Sequence, residues 1–169
     1  MVLQGMFGKL NRRDDIYYTP DYVIRWILPY LTKDKKIWEC AAGEFNIVNF
    51  FKREGFECIG TELKYGFDFL EDTPNFEFDI IITNPPYSLK TKFIERCLTY
   101  KKPFALLLPI TILDGKKNHN LLKSNNITAI LPLGRIDFIK SGRKLGRPAA
   151  YIGWFLFNFN DDKFKTILL

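Results

Sequence analysis

Four consecutive residues, Asn84-Pro85-Pro86-Tyr87, combine types that could orient a flat polar ligand. The Asn84 side chain carries a carbonyl oxygen, and the Pro85 backbone carbonyl is a second acceptor beside it. The prolines fix φ at two successive residues and bias Asn84 toward an extended conformation, so both acceptors are held rigidly. Tyr87 adds an aromatic face on which a planar ring can stack. A proline-rich turn that merely ends a strand is the alternative interpretation.

The chemistry that suits this combination is methylation of an aromatic exocyclic amine. Such an amine delocalises its lone pair into the ring and is a weak nucleophile. Two acceptors aimed at its two N–H groups would draw the nitrogen toward tetrahedral geometry and direct the lone pair at a methyl donor. A base taken out of a duplex could stack on Tyr87. This reaction needs no nucleophilic side chain, acid–base pair or metal ion.

The elements that position the motif alternate between strands and helices. We predict strands over 37–40, 57–62, 78–83, 104–108, 127–133 and 151–159, and helices over 46–54, 91–100 and 113–124. This alternation favours a parallel α/β sheet covered on both faces. Only a loop joins the last two strands, so they are expected to pair antiparallel. The motif directly follows the apolar strand 78–83, at the carboxyl end where open α/β sheets bind ligands.

Composition limits the class of protein. The chain has 169 residues, 47% of them hydrophobic, which predicts a single domain over 1–169 without a separate target-recognition domain. A formal net charge of +6 suits a polyanionic partner. The scattered Cys40, Cys58 and Cys97 and the lone His119 offer no zinc site, and we expect no metal. Without a signal peptide or membrane-spanning run, the protein is expected to be cytoplasmic.

The complete Asn84-Pro85-Pro86-Tyr87 motif resembles the signature of the amino-group DNA methyltransferases, in particular small phage-type adenine-N6 enzymes. The resemblance extends from about Tyr17 to Phe157, where Arg135 to Phe138 and an aromatic strand are similar to the phage-type C-terminal hairpin. It implies a Rossmann-like class I methyltransferase sheet, S-adenosylmethionine as cofactor, and DNA adenine-N6 as target. Asn84, Pro85, Pro86 and Tyr87 would then be the catalytic residues, with Asn84 also near the cofactor.

The same resemblance assigns cofactor-binding residues upstream of the motif. They are Tyr18, Thr19 and Pro20 before the first strand, Glu39, Ala41 and Gly43 after it, Glu62 ending the second strand, and the pair Asp68-Phe69 near the cofactor adenine. Small residues in the first turn allow close backbone approach to the methionine moiety. Glu62 lies at the spacing of an acid that accepts ribose hydroxyls.

Each of these positions also has a structural interpretation. Thr19-Pro20 is typical of a helix N-cap with proline at the first helical position. Asp68 could cap a turn, and Glu62 could be an ordinary surface carboxylate. One residue departs from the family pattern: Phe45 stands where a second glycine is usual, and its ring would either narrow the methionine pocket or turn outward.

The basic loop 140–148 is the candidate for nucleic-acid contact. Its four basic residues are separated by glycines and suit contact with DNA phosphates: Lys140, Arg143, Lys144 and Arg147. Phosphate contacts position a protein on the duplex but do not read its sequence. A solvated loop is the alternative. Without a recognition domain, specificity would be loose, carried by short loops, or supplied by a second subunit, and a homodimer is the alternative partner.

Three rival functions stay open from sequence. An RNA adenine or guanine methyltransferase would use the same flat-amine site. A protein glutamine methyltransferase shares the motif but commonly has a glycine-richer first loop. A non-catalytic module could keep the fold to bind nucleic acid or a partner, and Phe45 favours it.

Overall fold

The computed structural model describes residues 18–114, 116–140, 143–144, 151–159 and 164–169. Its helices are α1 (Asp21–Arg25), α2 (Asn46–Arg53), α3 (Lys90–Thr99) and α4 (Lys116–Lys123). Its strands are β1 (Ile37–Glu39), β2 (Cys58–Gly60), β3 (Ile80–Thr83), β4 (Phe104–Pro109), β5 (Ile127–Leu131), β6 (Ile139–Lys140), β7 (Arg143–Lys144), β8 (Ile152–Phe157) and β9 (Phe164–Leu168). Short 3-10 turns cover Leu28–Tyr30, Leu63–Tyr65, Tyr87–Leu89 and Ile110–Leu113. The predicted strands and helices start and end within three residues of these bounds.

Seven strands form one sheet in the order β2-β1-β3-β4-β8-β5-β9. Strand β8 runs antiparallel to both of its neighbours, β4 and β5. The other adjacent pairs of this sheet are parallel. The prediction of a mostly parallel sheet with an antiparallel pair near its end is confirmed, since β5 and β8 pair with Ile130 opposite Trp154.

Two features near the C-terminus correct the sequence analysis. The strand at 151–159 is not the last one, because β9 follows and pairs parallel with β5, with Leu131 opposite Leu168. The basic segment is not only a loop, because β6 and β7 pair antiparallel with Lys140 opposite Arg143. Strands β6 and β7 are only two residues long and largely basic, so they give no strong local strand pattern, whereas β9 is a short run that depends on its pairing with β5.

The sheet is buried on both faces, as the apolar runs predict. Along β4, Ala105 and Leu107 pack into a cluster with the buried side chains of α1 and α2. Phe104, Leu106 and Leu108 pack into a second cluster with those of α3. The strands therefore form a rigid layer, and their carboxyl ends hold the loops that carry the predicted site.

Helix α1 is fixed to this layer by apolar packing and by one buried hydrogen bond. Val23 and Ile24 are fully buried. The indole Nε1 of Trp154, in β8, donates to the Val23 carbonyl over 2.8 Å. At the helix surface, Arg53 of α2 forms an ion pair with Asp21. The residues just before α1 are thereby held in a defined position.

Candidate active site

The Asn84-Pro85-Pro86-Tyr87 loop leaves the carboxyl end of β3 directly. Pro85 is buried and the other three residues are half-buried. The loop passes into the 3-10 turn Tyr87–Leu89 and then into α3. The Tyr87 ring packs against the cluster on the α1 and α2 face of the sheet. The predicted position at the end of a buried strand is therefore confirmed.

The two polar atoms of the Asn84 side chain have different surroundings. Its Nδ2 donates to the Thr19 hydroxyl oxygen over 3.1 Å. Its Oδ1 is buried and has no hydrogen-bond partner among the described residues. A buried acceptor without a partner is costly, of the order of 1–3 kcal/mol, and points to a missing donor. The side chain thus offers an acceptor that an amine N–H could satisfy.

Thr19 does not cap helix α1 in the way that the sequence predicts. The helix begins at Asp21, its N-cap residue is Pro20, and no side chain makes the cap hydrogen bond. The Pro20 carbonyl accepts from the Val23 and Ile24 amides instead. The Thr19 hydroxyl oxygen instead accepts from Asn84 Nδ2, which the fold brings within hydrogen-bond distance. Tyr18 beside it is half-buried and lies in an isolated β-bridge.

The turn after β1 and the acid after β2 are joined by a hydrogen bond. The Gly43 amide donates to Glu62 Oε2 over 2.8 Å. Gly43 has a φ of +53°, and a Cβ built on it would meet nothing within 4 Å, so the turn faces open space. Glu62 is half-buried and therefore more than an ordinary surface carboxylate.

Glu39 is the most buried acid near the site, with 1% of its surface exposed. The Ala41 amide donates to its Oε1 over 3.0 Å, whereas Oε2 has no hydrogen-bond partner among the described residues. Burial raises the pKa of Glu39 to about 8, and the negative charge of Glu62 adds to the rise. The nearby Thr83 hydroxyl and, to a smaller extent, the Ala41 amide act in the opposite direction and lower the pKa. Glu39 is consequently protonated over much of the neutral range.

Phe45 turns its ring toward β2. Its backbone is left-handed, with a φ of 63°, at the N-cap position of α2. The ring contacts the Gly60 position and lies with its centroid 5.8 Å from that of Tyr65. Strand β1 separates β2 from β3, so the ring and Asn84 lie on opposite sides of β1. The ring is half-buried and packs against the core cluster, so it does not turn fully outward, and its effect on a methionine pocket stays a prediction.

The Asp68-Phe69 pair has a structural role. Asp68 Oδ1 accepts from the Leu70 amide over 3.0 Å, which is the turn cap considered from sequence. Phe69 is only 3% exposed and stacks on Phe93 with a centroid distance of 4.9 Å. The Phe69 ring therefore packs in the core, and the contact of this pair with a cofactor adenine stays a prediction.

Apolar surface beside Glu62 is a feature that the sequence analysis missed. Leu63 and Tyr65, in the 3-10 turn after Glu62, are 41% and 61% exposed. Their position immediately after a strand-ending acid is the signal that could have identified them. They add an exposed apolar patch to the edge at which Glu62 lies.

The predicted nucleic-acid residues are only partly within the described chain. Lys140 ends β6, and Arg143 and Lys144 form β7. Arg147 lies outside the described residues, and the phosphate contacts stay a prediction. No group of three metal-ligating side chains occurs among the residues described. Within that same part of the chain, every helix is too short or too polar to cross a membrane.

Comparison with known proteins places the fold among methyltransferases. No protein-family model matches the chain. A stretch of 57 residues is 35% identical to the type II methyltransferase M.EcoRI of Escherichia coli, and it covers 34% of this chain but only 18% of that protein.

Two solved structures share the fold over most of the chain. A dimethyladenosine transferase from Plasmodium falciparum superposes with a TM-score of 0.54 at 14% identity, covering 84% of this chain and 62% of that one. A TehB-like SAM-dependent methyltransferase from Corynebacterium glutamicum gives a TM-score of 0.53 at 14% identity, covering 85% and 88%. The fold is therefore that of the S-adenosylmethionine-dependent methyltransferases, as predicted.

Proposed function

We propose that this protein transfers a methyl group from S-adenosylmethionine to an exocyclic amine, and that the amine is N6 of adenine in DNA. The observation that carries the proposal is the buried Asn84 Oδ1, an acceptor without a partner among the described residues, at the carboxyl end of β3. The half-buried Tyr87 follows it in a loop held by two prolines. The short stretch of 35% identity to a type II methyltransferase of Escherichia coli supports the choice of DNA.

The residues at the ends of β1 and β2 fit this cofactor. The Gly43 turn faces open space, so a ligand could approach its backbone closely. Glu62 is oriented by the Gly43 amide and keeps a carboxylate oxygen for the ribose hydroxyls. Ala41, Tyr18 and Pro20 would complete the walls near the methionine group. The exposed Leu63 and Tyr65 offer an apolar surface for the adenine ring.

The chain's own residues bind and orient the target amine. Asn84 Oδ1 and the Pro85 carbonyl accept its two N–H groups and turn the nitrogen lone pair toward the methyl group. Tyr87 stacks on the base and holds it out of the duplex. When bound, S-adenosylmethionine supplies an electrophilic methyl group: a C–N bond forms as the C–S bond breaks, and the nitrogen releases one proton to water. The enzyme contributes the orientation of the amine and the electrostatic stabilisation of its developing charge.

Contact with DNA is assigned to the basic segment 140–148. Lys140, Arg143, Lys144 and Arg147 would neutralise phosphates next to the extruded base. Such contacts carry no sequence information, so a second copy or another subunit would supply specificity.

The experiment that tests this function is transfer of labelled methyl from S-adenosylmethionine to unmethylated genomic DNA. Total RNA and protein extract are assayed in parallel, and the modified nucleoside or residue is identified. We expect N6-methyladenine in DNA. Label in RNA or in protein glutamine would show that the substrate is not DNA, whereas the proposed methyl transfer to an amino group would stand. Cofactor binding without transfer to any of the three would contradict the enzymatic proposal in favour of a binding module.

A further inference from the structure

We propose that Thr19 is a positioning residue that holds the Asn84 carboxamide with its oxygen available to the target amine. This inference rests on the proposed function. It assigns Thr19 to orienting the catalytic Asn84 side chain, in addition to its predicted place near the cofactor.

The role follows from the chemistry of a carboxamide. The Asn84 side chain has an oxygen that only accepts and a nitrogen that only donates, and rotation by about 180° about its last bond exchanges them. With the oxygen toward the amine, acceptor meets donor. With the nitrogen toward the amine, two donors face each other and the lone pair is not directed. The reaction therefore needs one of two similar rotamers.

The Thr19 hydroxyl supports that rotamer, because it supplies the acceptor that Nδ2 needs when Oδ1 faces the amine. Its oxygen accepts from Asn84 Nδ2 over 3.1 Å, which anchors the nitrogen and leaves Oδ1 pointing away. Oδ1 is the atom that is buried without a partner among the described residues. If the amide rotated, the Thr19 hydroxyl could donate to Oδ1 instead, but Nδ2 would then be the buried atom facing the site, and a donor there cannot bind an amine N–H. The hydrogen bond and the free acceptor are thus two consequences of one orientation.

Both residues of the pair are held rigidly by their neighbours. Each precedes a proline, Pro20 or Pro85, which restricts both to extended backbone. Thr19 is 3% exposed, so its side chain has little freedom to rotate. Behind it, α1 is anchored through the Val23 carbonyl by the indole of Trp154. Because the two residues are 65 positions apart, the fold and not the local sequence makes the contact.

The test replaces the hydroxyl by a methyl group of nearly the same size. For Thr19→Val we expect kcat for methyl transfer to fall about 10- to 100-fold, the effect that a misplaced catalytic group causes, with KM for the cofactor changed less than about 3-fold. Thr19→Ser keeps the hydroxyl and should restore kcat to within about 3-fold of the original protein. Thr128→Val makes the same change at a buried threonine of β5, outside the site, and should leave kcat unaltered.

A second readout does not depend on turnover. The side-chain amide signals of Asn84 in a ¹H–¹⁵N spectrum can be identified by their disappearance in Asn84→Asp. We expect their exchange with solvent to be slow in the original protein and in Thr19→Ser, and fast in Thr19→Val.

The outcomes separate this inference from the proposed function. Unchanged kcat in Thr19→Val, or a rise in cofactor KM at constant kcat, would overturn the positioning role while the methyltransferase function stands. If the original protein transfers no methyl group at all, the function fails. The exchange rate of the Asn84 side-chain amide then tests the Thr19–Asn84 hydrogen bond without any activity assay. Equal exchange rates in Thr19→Val and Thr19→Ser would show that this hydrogen bond is absent and overturn the inference.

Discussion

The Phe45 ring fills the space that a side chain at position 60 would need. A Cβ built on Gly60 would lie 2.8 Å from Cε1 and 2.9 Å from Cδ1 of Phe45, and 2.7 Å from Cγ2 of Val48. All three distances are shorter than normal van der Waals contacts. The aromatic side chain at a left-handed position in the first loop is therefore accommodated by a glycine in the neighbouring strand.

This pairing predicts a coupling between positions 45 and 60. Gly60→Ala should lower the free energy of unfolding by about 1–3 kcal/mol, because Val48 is buried and the Phe45 ring is packed. In a Phe45→Gly background the cost should fall by about 1 kcal/mol, since only the Val48 contact is left. Urea unfolding of the four proteins measures both values. If Gly60→Ala lowers the free energy of unfolding equally in both backgrounds, the Phe45 ring does not restrict the space at position 60.

Asn84→Ala tests the acceptor at the centre of the proposed mechanism. Transfer should fall by at least about 10²-fold, since one oriented acceptor is removed, whereas S-adenosylmethionine should bind nearly as before. Asn84→Asp keeps an acceptor of the same shape and should retain part of the activity. Single-turnover rates together with calorimetric binding of the cofactor separate the two effects. Undiminished turnover in Asn84→Ala would rule out the mechanism.

The raised pKa of Glu39 predicts that the stability of the protein depends on pH. Its pKa in the folded protein is about 8, raised by burial from an ordinary value of 4.5. Between these values the folded state binds the proton and the unfolded state has released it, so the free energy of unfolding falls as the pH rises toward 8. Glu39→Gln cannot ionise and keeps an oxygen for the Ala41 amide.

The stability difference between Glu39→Gln and the original protein should therefore change with pH. The variant should gain relative stability from about pH 5 to about pH 8 and then level off. Urea midpoints across this range measure the trend. A difference that does not vary with pH would contradict the raised pKa of Glu39.

The basic segment predicts a salt-dependent contribution to DNA binding. Replacing Lys140, Arg143, Lys144 and Arg147 by alanine should weaken binding and lower the slope of log K against log salt by about 0.9 for each phosphate that is no longer neutralised. Lys35 and Lys36 precede β1, at the opposite end of the sheet from Asn84, and their replacement by alanine is the control. Fluorescence anisotropy at several salt concentrations gives both slopes. Equal slopes in the two variants would exclude the segment from the DNA interface.

The sequence by itself determined the order of the elements from β1 to β5 and the location of the motif. The continuous apolar run of β3 and the prolines after it are local signals, and they predicted a rigid loop at the carboxyl end of a buried strand. The antiparallel pairing of β8 with β5 was also predictable, because the connection between them is not a crossover helix.

The tertiary structure decided which polar atoms are paired. Thr19 was expected to cap α1 but accepts from Asn84, and the packing of Phe69 on Phe93 could not be read from the local sequence. Strand β9 exists through its parallel pairing with β5. These contacts join residues far apart in the chain, whereas sequence periodicity reports only local conformation and burial. The free acceptor on Asn84 is a property of such a contact, so only the folded chain could reveal it.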